Sequence, residues 1–167
     1  GFSDLGAFGG EIRTPNLDKL AGQGVRFTDF YVGATCSPTR AMLMTGMDNH
    51  RVGLGNMYEQ TAPNQLGRIG YTGVLSTQVP TIAERLRGNG YHTYMAGKWH
   101  LGHAPDHIPH ARGFERDFTL INAAGSHFDM TGSAFENEVS EFTEDGKYIN
   151  KLPPNYYSTR TYTEKMV

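Results

Sequence analysis

Cys36 is the only cysteine in the chain and opens the run Cys36-Ser37-Pro38-Thr39-Arg40. Pro38 suits the first position of a helix, which places one modifiable side chain at or just before a helix start. Free N–H groups and the helix dipole favour negative charge there. Arg40, four residues on and on the same helical face, can reach back to that point. A lone cysteine is more often a small buried hydrophobe, but a buried thiol has no need of this arrangement. A second run, Gly97-Lys98-Trp99-His100, carries a cation and a titratable imidazole two residues apart. In an extended segment Lys98 and His100 share one side, and Trp99, the only tryptophan, points to the other as an anchor in the core.

The elements that must position these residues follow from local pattern. Thr14-Pro15 starts a helix that Gly22 and Gly24 close, with Leu17 and Leu20 on one face. Alternation over 25–32 predicts a strand leading into the Cys36 run, and a second helix follows to Gly46. Residues 48–78 have no sustained period and read as a long loop. Val79-Pro80-Thr81 starts a third helix through Arg87, with Ile82, Ala83 and Leu86 facing inward. Residues 91–96 read as a strand that delivers Lys98 and His100. Loops dominate the expectation for 103–150, and Ser158 is expected to cap a last helix. Helices and strands in this order imply an α/β layered fold.

Hydrophobic residues make up 38% and charged residues 19% of the 167, with net charge −2. This is the composition of a soluble globular protein of ordinary domain length, with no electrostatic case for nucleic acid. No run approaches the roughly 18 apolar residues of a membrane helix. One cysteine rules out an internal disulfide framework and a multi-cysteine zinc site. The chain begins at Gly1 without a methionine and stops at Val167 inside a helical pattern. Both ends look cut, so a partial domain over 1–167, truncated at each end, is expected.

With both runs in hand, the sequence resembles the type I sulfatases, close to the bacterial arylsulfatases. Gly1-Phe2-Ser3-Asp4-Leu5-Gly6 looks like the continuation of the family's amino-terminal aspartate segment. Thr14-Pro15-Asn16-Leu17-Asp18 with Gly24-Val25-Arg26-Phe27 is similar to its next block. Cys36 to Arg40, extended by Leu43, Thr45-Gly46 and His50-Arg51, is similar to its signature. Gly97 to Gly102 and Gly113-Phe114-Glu115 match later segments, and the likeness runs in order to about residue 120.

The resemblance implies an alkaline-phosphatase-like α/β fold with a central mixed sheet, here the amino-terminal part of the catalytic domain. It implies hydrolysis of small-molecule sulfate esters, aryl sulfates among them. It further implies that Cys36 is oxidised to Cα-formylglycine by a formylglycine-generating enzyme reading the Cys-x-Pro-x-Arg stretch in the unfolded chain. Arg40 would stabilise the hydrated aldehyde and Lys98 would hold a sulfate oxygen. His100 would hydrogen-bond the second hydroxyl and act as base. Ca²⁺ would bind the modified Cys36 and a sulfate oxygen, its aspartate and asparagine ligands lying outside this chain. Asp4 belongs to the Ser-Asp step and is not counted among them. A soluble bacterial protein of cytoplasm or periplasm is expected, the sequence not choosing between the two.

Two other readings stand beside this one. A phosphonate or phosphate ester hydrolase would keep the nucleophile and change the ester, although His110-Ala111-Arg112-Gly113 leans toward sulfates. A non-catalytic binding homologue would keep Cys36 as a thiol. The spacing of His92, His103, His107 and His110 invites a zinc site, but Pro105 and Pro109 interrupt the helix it needs. These histidines are placed instead on a loop near the site entrance. Arg112, Glu115 and Arg116 read as a solvated or salt-bridged face. Phe128, Phe135, Phe142, Tyr156 and Tyr157 are assigned to ordinary packing before an aryl-binding wall.

Overall fold

The computed structural model describes residues 2–132 and 138–167. Gly1 and Phe135, to which the sequence reading gave roles, lie outside them. The chain divides into two compact units, residues 1–32 and 33–167.

The first unit holds helix α1, Pro15–Gln23, preceded by two short 3-10 turns. Thr14 stands at the helix start as expected, but its hydroxyl does not cap the helix. It donates to Asp18 Oδ1 at 2.8 Å and accepts from the Gly6 amide at 2.9 Å. The strand expected over 25–32 is absent. An extended segment becomes a strand only when a partner satisfies its N–H and C=O groups, and none of the described residues pairs with this one.

The second unit contains helices α2 (Cys36–Thr45), α3 (Ile82–Gly88) and α4 (Ser158–Met166). Its strands are β1 (Tyr94–Lys98), β2 (Arg116–Leu120), β3 (Phe142–Glu144) and β4 (Lys147–Ile149). They form one mixed sheet in the order β1-β2-β3-β4. β1 and β2 run parallel, with Lys98 opposite Leu120, and the remaining pairs are antiparallel. The α/β class therefore holds.

Three of these strands fall where loops were expected. β2 has no clean alternation because its polar residues are inside: Asp117 and Thr119 are buried with Phe118. Asp117 is satisfied by Thr143 Oγ1 at 2.5 Å and the Gly146 amide at 2.8 Å. The β3–β4 hairpin closes through Asp145 and Gly146, with φ of 48° and 79°. Two successive positive φ values define the tight turn whose twist suits a hairpin.

α3 starts as read, with a full capping box between Thr81 and Glu84, an arrangement worth about 1 kcal/mol. Its inward face differs from expectation, since Ala83 is buried while Ile82 and Leu86 are exposed. The reason is what packs beside it. Gly113 at φ +98° lies so close that a Cβ there would stand 2.4 Å from the Glu84 backbone nitrogen. Gly113→Ala is expected to cost about 1–3 kcal/mol through backbone strain and overpacking, read as a lower urea midpoint of the full-length protein.

Arg112 is buried, contrary to the solvated face expected of it. Its guanidinium donates to Val79 O at 2.8 Å, Leu75 O at 3.3 Å and Glu84 Oε1 at 3.4 Å. Glu115 and Arg116 do lie at the surface, paired with His92 and Asp145. Phe142 and Tyr156 pack with Phe118 in a core cluster, whereas Phe128 is exposed and stacks on Tyr157. Ser158 is the first residue of α4 and caps nothing; its hydroxyl meets His127 Nδ1 at 2.6 Å.

The other core cluster lies beneath the site: Trp99, Leu101, Val52, Leu54, Leu75, Ala41, Ile108 and Ile121 are buried together. Trp99 sets its ring edge-on to Phe114 and donates Nε1–H to His107 O at 2.7 Å.

Candidate active site

Cys36 is the first residue of α2, so the helix begins two residues earlier than Pro38 at its first position would give. Pro38 then falls within the first turn, where its missing N–H still leaves no intrahelical bond unmade. The half-buried Cys36 side chain emerges where the N–H groups of that turn are free.

β1 delivers the second run. Its pairing with β2 continues past Lys98, with Trp99 N donating to Leu120 O at 2.8 Å and His100 N to Ile121 O at 3.1 Å. The main-chain bonding continues beyond the strand to His100, whose φ is +58°. Few non-glycine residues adopt this conformation, and it tends to occur where the surroundings hold a side chain for a purpose. Here the imidazole Nδ1 is 3.3 Å from Cys36 Sγ. Trp99 is fully buried on the other side, as the alternation required.

Arg40 bridges the two runs. Its Nε donates to Trp99 O and its Nη2 to Lys98 O. The guanidinium therefore ties α2 to the end of β1 through main-chain carbonyls. Lys98 is half-buried, and its ammonium makes no hydrogen bond or ion pair among the described residues. It is near enough to His100 to act on its titration. Burial pushes the imidazole below its ordinary value, the Glu59 carboxylate opposes this, and the Lys98 ammonium reinforces it.

The structure thus brings Cys36, Arg40, Lys98 and His100 together from two elements far apart in sequence. It adds two residues that sequence reasoning missed. Met57 Sδ accepts from Cys36 Sγ at 3.2 Å, and Glu59 receives His100 Nε2 at 3.1 and 3.2 Å. Both lie in the segment read as a long loop, at and beside the 3-10 turn Tyr58–Gln60. One signal was available: long structureless segments inside a compact unit are commonly functional.

His103 lines a cavity of about 440 Å³ together with His100, Glu59 and Tyr58. That places His103, of the four histidines, beside His100. His92, His103 and His107 each meet a carboxylate, at 2.8, 2.6 and 2.7 Å. Among the described residues no three His, Cys, Asp or Glu side chains stand together as a metal site. A calcium ion takes about six to eight oxygen ligands, whereas the polar neighbours of Cys36 Sγ are a thioether and an imidazole. The described residues do not compose a calcium site by themselves.

A thiol at a helix start thus faces a buried imidazole, and a guanidinium joins their two elements. A model of the Sulfatase family matches residues 1–167, and the chain belongs to that family. It is 41% identical over 176 residues to an uncharacterized sulfatase of Schizosaccharomyces pombe, covering 100% of this chain and 32% of that protein. It is 40% identical over 170 residues to an arylsulfatase of Klebsiella aerogenes, covering 99% of this chain and 36% of that one. Among solved structures, the one described as Ps i-CgsB superposes with a TM-score of 0.75 at 29% identity, covering 96% of this chain and 36% of that chain. The chain therefore spans about a third of the length of the relatives it matches. No helix among the described residues is long and apolar enough to cross a membrane.

Proposed function

We propose that this chain is the amino-terminal part of a sulfatase catalytic domain and carries the nucleophile of a sulfate-ester hydrolase, aryl sulfates being the substrate class. The observation that supports this best is the approach of His100 Nδ1 to 3.3 Å from Cys36 Sγ, with Arg40 joining their two elements. The arylsulfatase name of a relative at 40% identity points the same way.

In this reading Cys36 Sγ stands in for an oxygen of Cα-formylglycine, installed by a formylglycine-generating enzyme that recognises residues 36–40. Oxidised and hydrated, residue 36 supplies two hydroxyls on one carbon: one attacks sulfur as the alcohol leaves, and the other later loses its proton so that sulfate departs and the aldehyde re-forms. His100 Nδ1 is placed to receive that proton. The Lys98 ammonium, close enough to His100 to act on its titration, would stabilise charge growing on the sulfate oxygens. Arg40 fixes the spacing between α2 and β1 and adds positive charge. A divalent cation with residue 36 among its ligands belongs to this reading through the family resemblance alone.

Two measurements on the full-length protein test it. A tryptic peptide containing residue 36 should be lighter by about 18 Da than its thiol form after expression beside the maturing enzyme. The kcat/KM for an aryl sulfate should exceed that for the matching aryl phosphonate. An unshifted peptide in an active enzyme, or a preference for the phosphonate, overturns the reading. Lys98→Met should lower kcat/KM on the aryl sulfate by about 10²–10³; an unchanged value removes Lys98 from the site.

A further inference from the structure

His100 has two ring nitrogens, and each has its own partner. Nδ1 faces Cys36 Sγ at 3.3 Å, while Nε2 faces both oxygens of Glu59 at 3.1 and 3.2 Å. A carboxylate only accepts hydrogen bonds, so the single proton of a neutral imidazole belongs on Nε2. The lone pair on Nδ1 is then left facing residue 36. Little else can set this choice, since the His100 side chain is 5% exposed and that of Glu59 19%. The backbone of His100 is held in the left-handed region, with its amide bonded to Ile121 O. The ring therefore approaches Glu59 and Cys36 in one fixed orientation. On the far side, the 3-10 turn Tyr58–Gln60 presents Glu59, while the preceding Met57 touches Cys36.

We propose that Glu59 is the positioning residue of this site, selecting the Nε2–H tautomer of His100 and aiming Nδ1 at the side chain of residue 36. This rests on the reading that residue 36 is the reacting centre. When sulfate is expelled, the hydroxyl proton passes to Nδ1 and a carbon–oxygen double bond forms. The bond between carbon and the sulfate oxygen breaks, its electron pair leaving with sulfate. The imidazolium so formed keeps its Nε2–H on Glu59, whose negative charge stabilises it. Removing a partner that orients a reacting histidine typically lowers activity about 10–100-fold.

The test uses the full-length protein with ¹⁵N-labelled histidine, the His100 signals being identified by their loss in His100→Asn. The wild type should give a protonated Nε2 and an unprotonated Nδ1. In Glu59→Gln, whose amide can donate as well as accept, the tautomer should become mixed. There kcat on an aryl sulfate should fall about 10–100-fold with KM changed far less. Glu59→Asp should keep the Nε2–H tautomer and recover part of kcat, which a merely structural role does not predict. A wild-type-like tautomer in Glu59→Gln overturns the proposal, as does a mixed tautomer with unchanged kcat. Failure of the underlying reading looks different: His100→Asn and Cys36→Ala would then retain turnover, while the tautomer signals still report what Glu59 does.

Discussion

Replacing Cys36 by alanine in the full-length protein is expected to lower aryl-sulfate turnover by at least about 10³-fold, with the fold intact. Alanine keeps the Cβ at the first position of α2, and among the described residues the sulfur bonds only to Met57 and His100, not to the helix. Circular dichroism and the unfolding midpoint should therefore match the wild type while steady-state assays show the loss. Cys36→Ser separates the two halves of the proposed reaction. A serine hydroxyl can attack sulfur but has no second hydroxyl on the same carbon to expel the sulfate. It should stall after one turnover with a sulfated peptide visible by mass spectrometry. Normal steady-state rates in either variant would remove residue 36 from the chemistry.

The second large effect is on stability. Arg112→Met is expected to destabilise the full-length protein by about 3 kcal/mol, seen as a marked fall in the urea midpoint. The substitution keeps much of the buried apolar stem but leaves the carbonyls of Leu75 and Val79 without their donor. Glu84 loses its partner too, though at 33% side-chain exposure water relieves part of that cost. Arg112→Lys should recover little, because one ammonium cannot reproduce a planar fork aimed at three acceptors. An unchanged midpoint in Arg112→Met would mean that water replaces the guanidinium at no cost.

The site was far more legible in the sequence than the sheet that carries it. Cys36, Arg40, Lys98 and His100 occur in short runs whose residue types already imply chemistry. Trp99 declared the direction of its segment because a large apolar ring between two polar neighbours has one place to go. Glu59 declared nothing, since a single carboxylate in a polar loop looks like any solvated one. Its role comes from tertiary contact with a histidine 41 positions away. β2 was missed because buried Asp117 and Thr119 break the alternation expected of a half-buried strand, and Asp117 finds its partners only in the hairpin. The Asp145-Gly146 pair is a hairpin signal that the sequence does carry. Residues 25–32 show the reverse error: alternation without a partner strand does not make a strand.

The two bonds from Arg40 to the carbonyls of Lys98 and Trp99 carry a consequence for redesign. Beside the core cluster that Ala41 and Trp99 share, the gap between α2 and β1 is gauged by the Arg40 side chain against main-chain atoms that every residue possesses. Chemistry and spacing are thereby written in separate places. The side chain at position 98 can be exchanged without cutting either bond, since both run to main-chain carbonyls, whereas the left-handed backbone at His100 restricts what can stand there. Position 40 enjoys no such freedom, because a shorter or single-pronged cation would let the helix and the strand drift apart, and every group mounted on them with it.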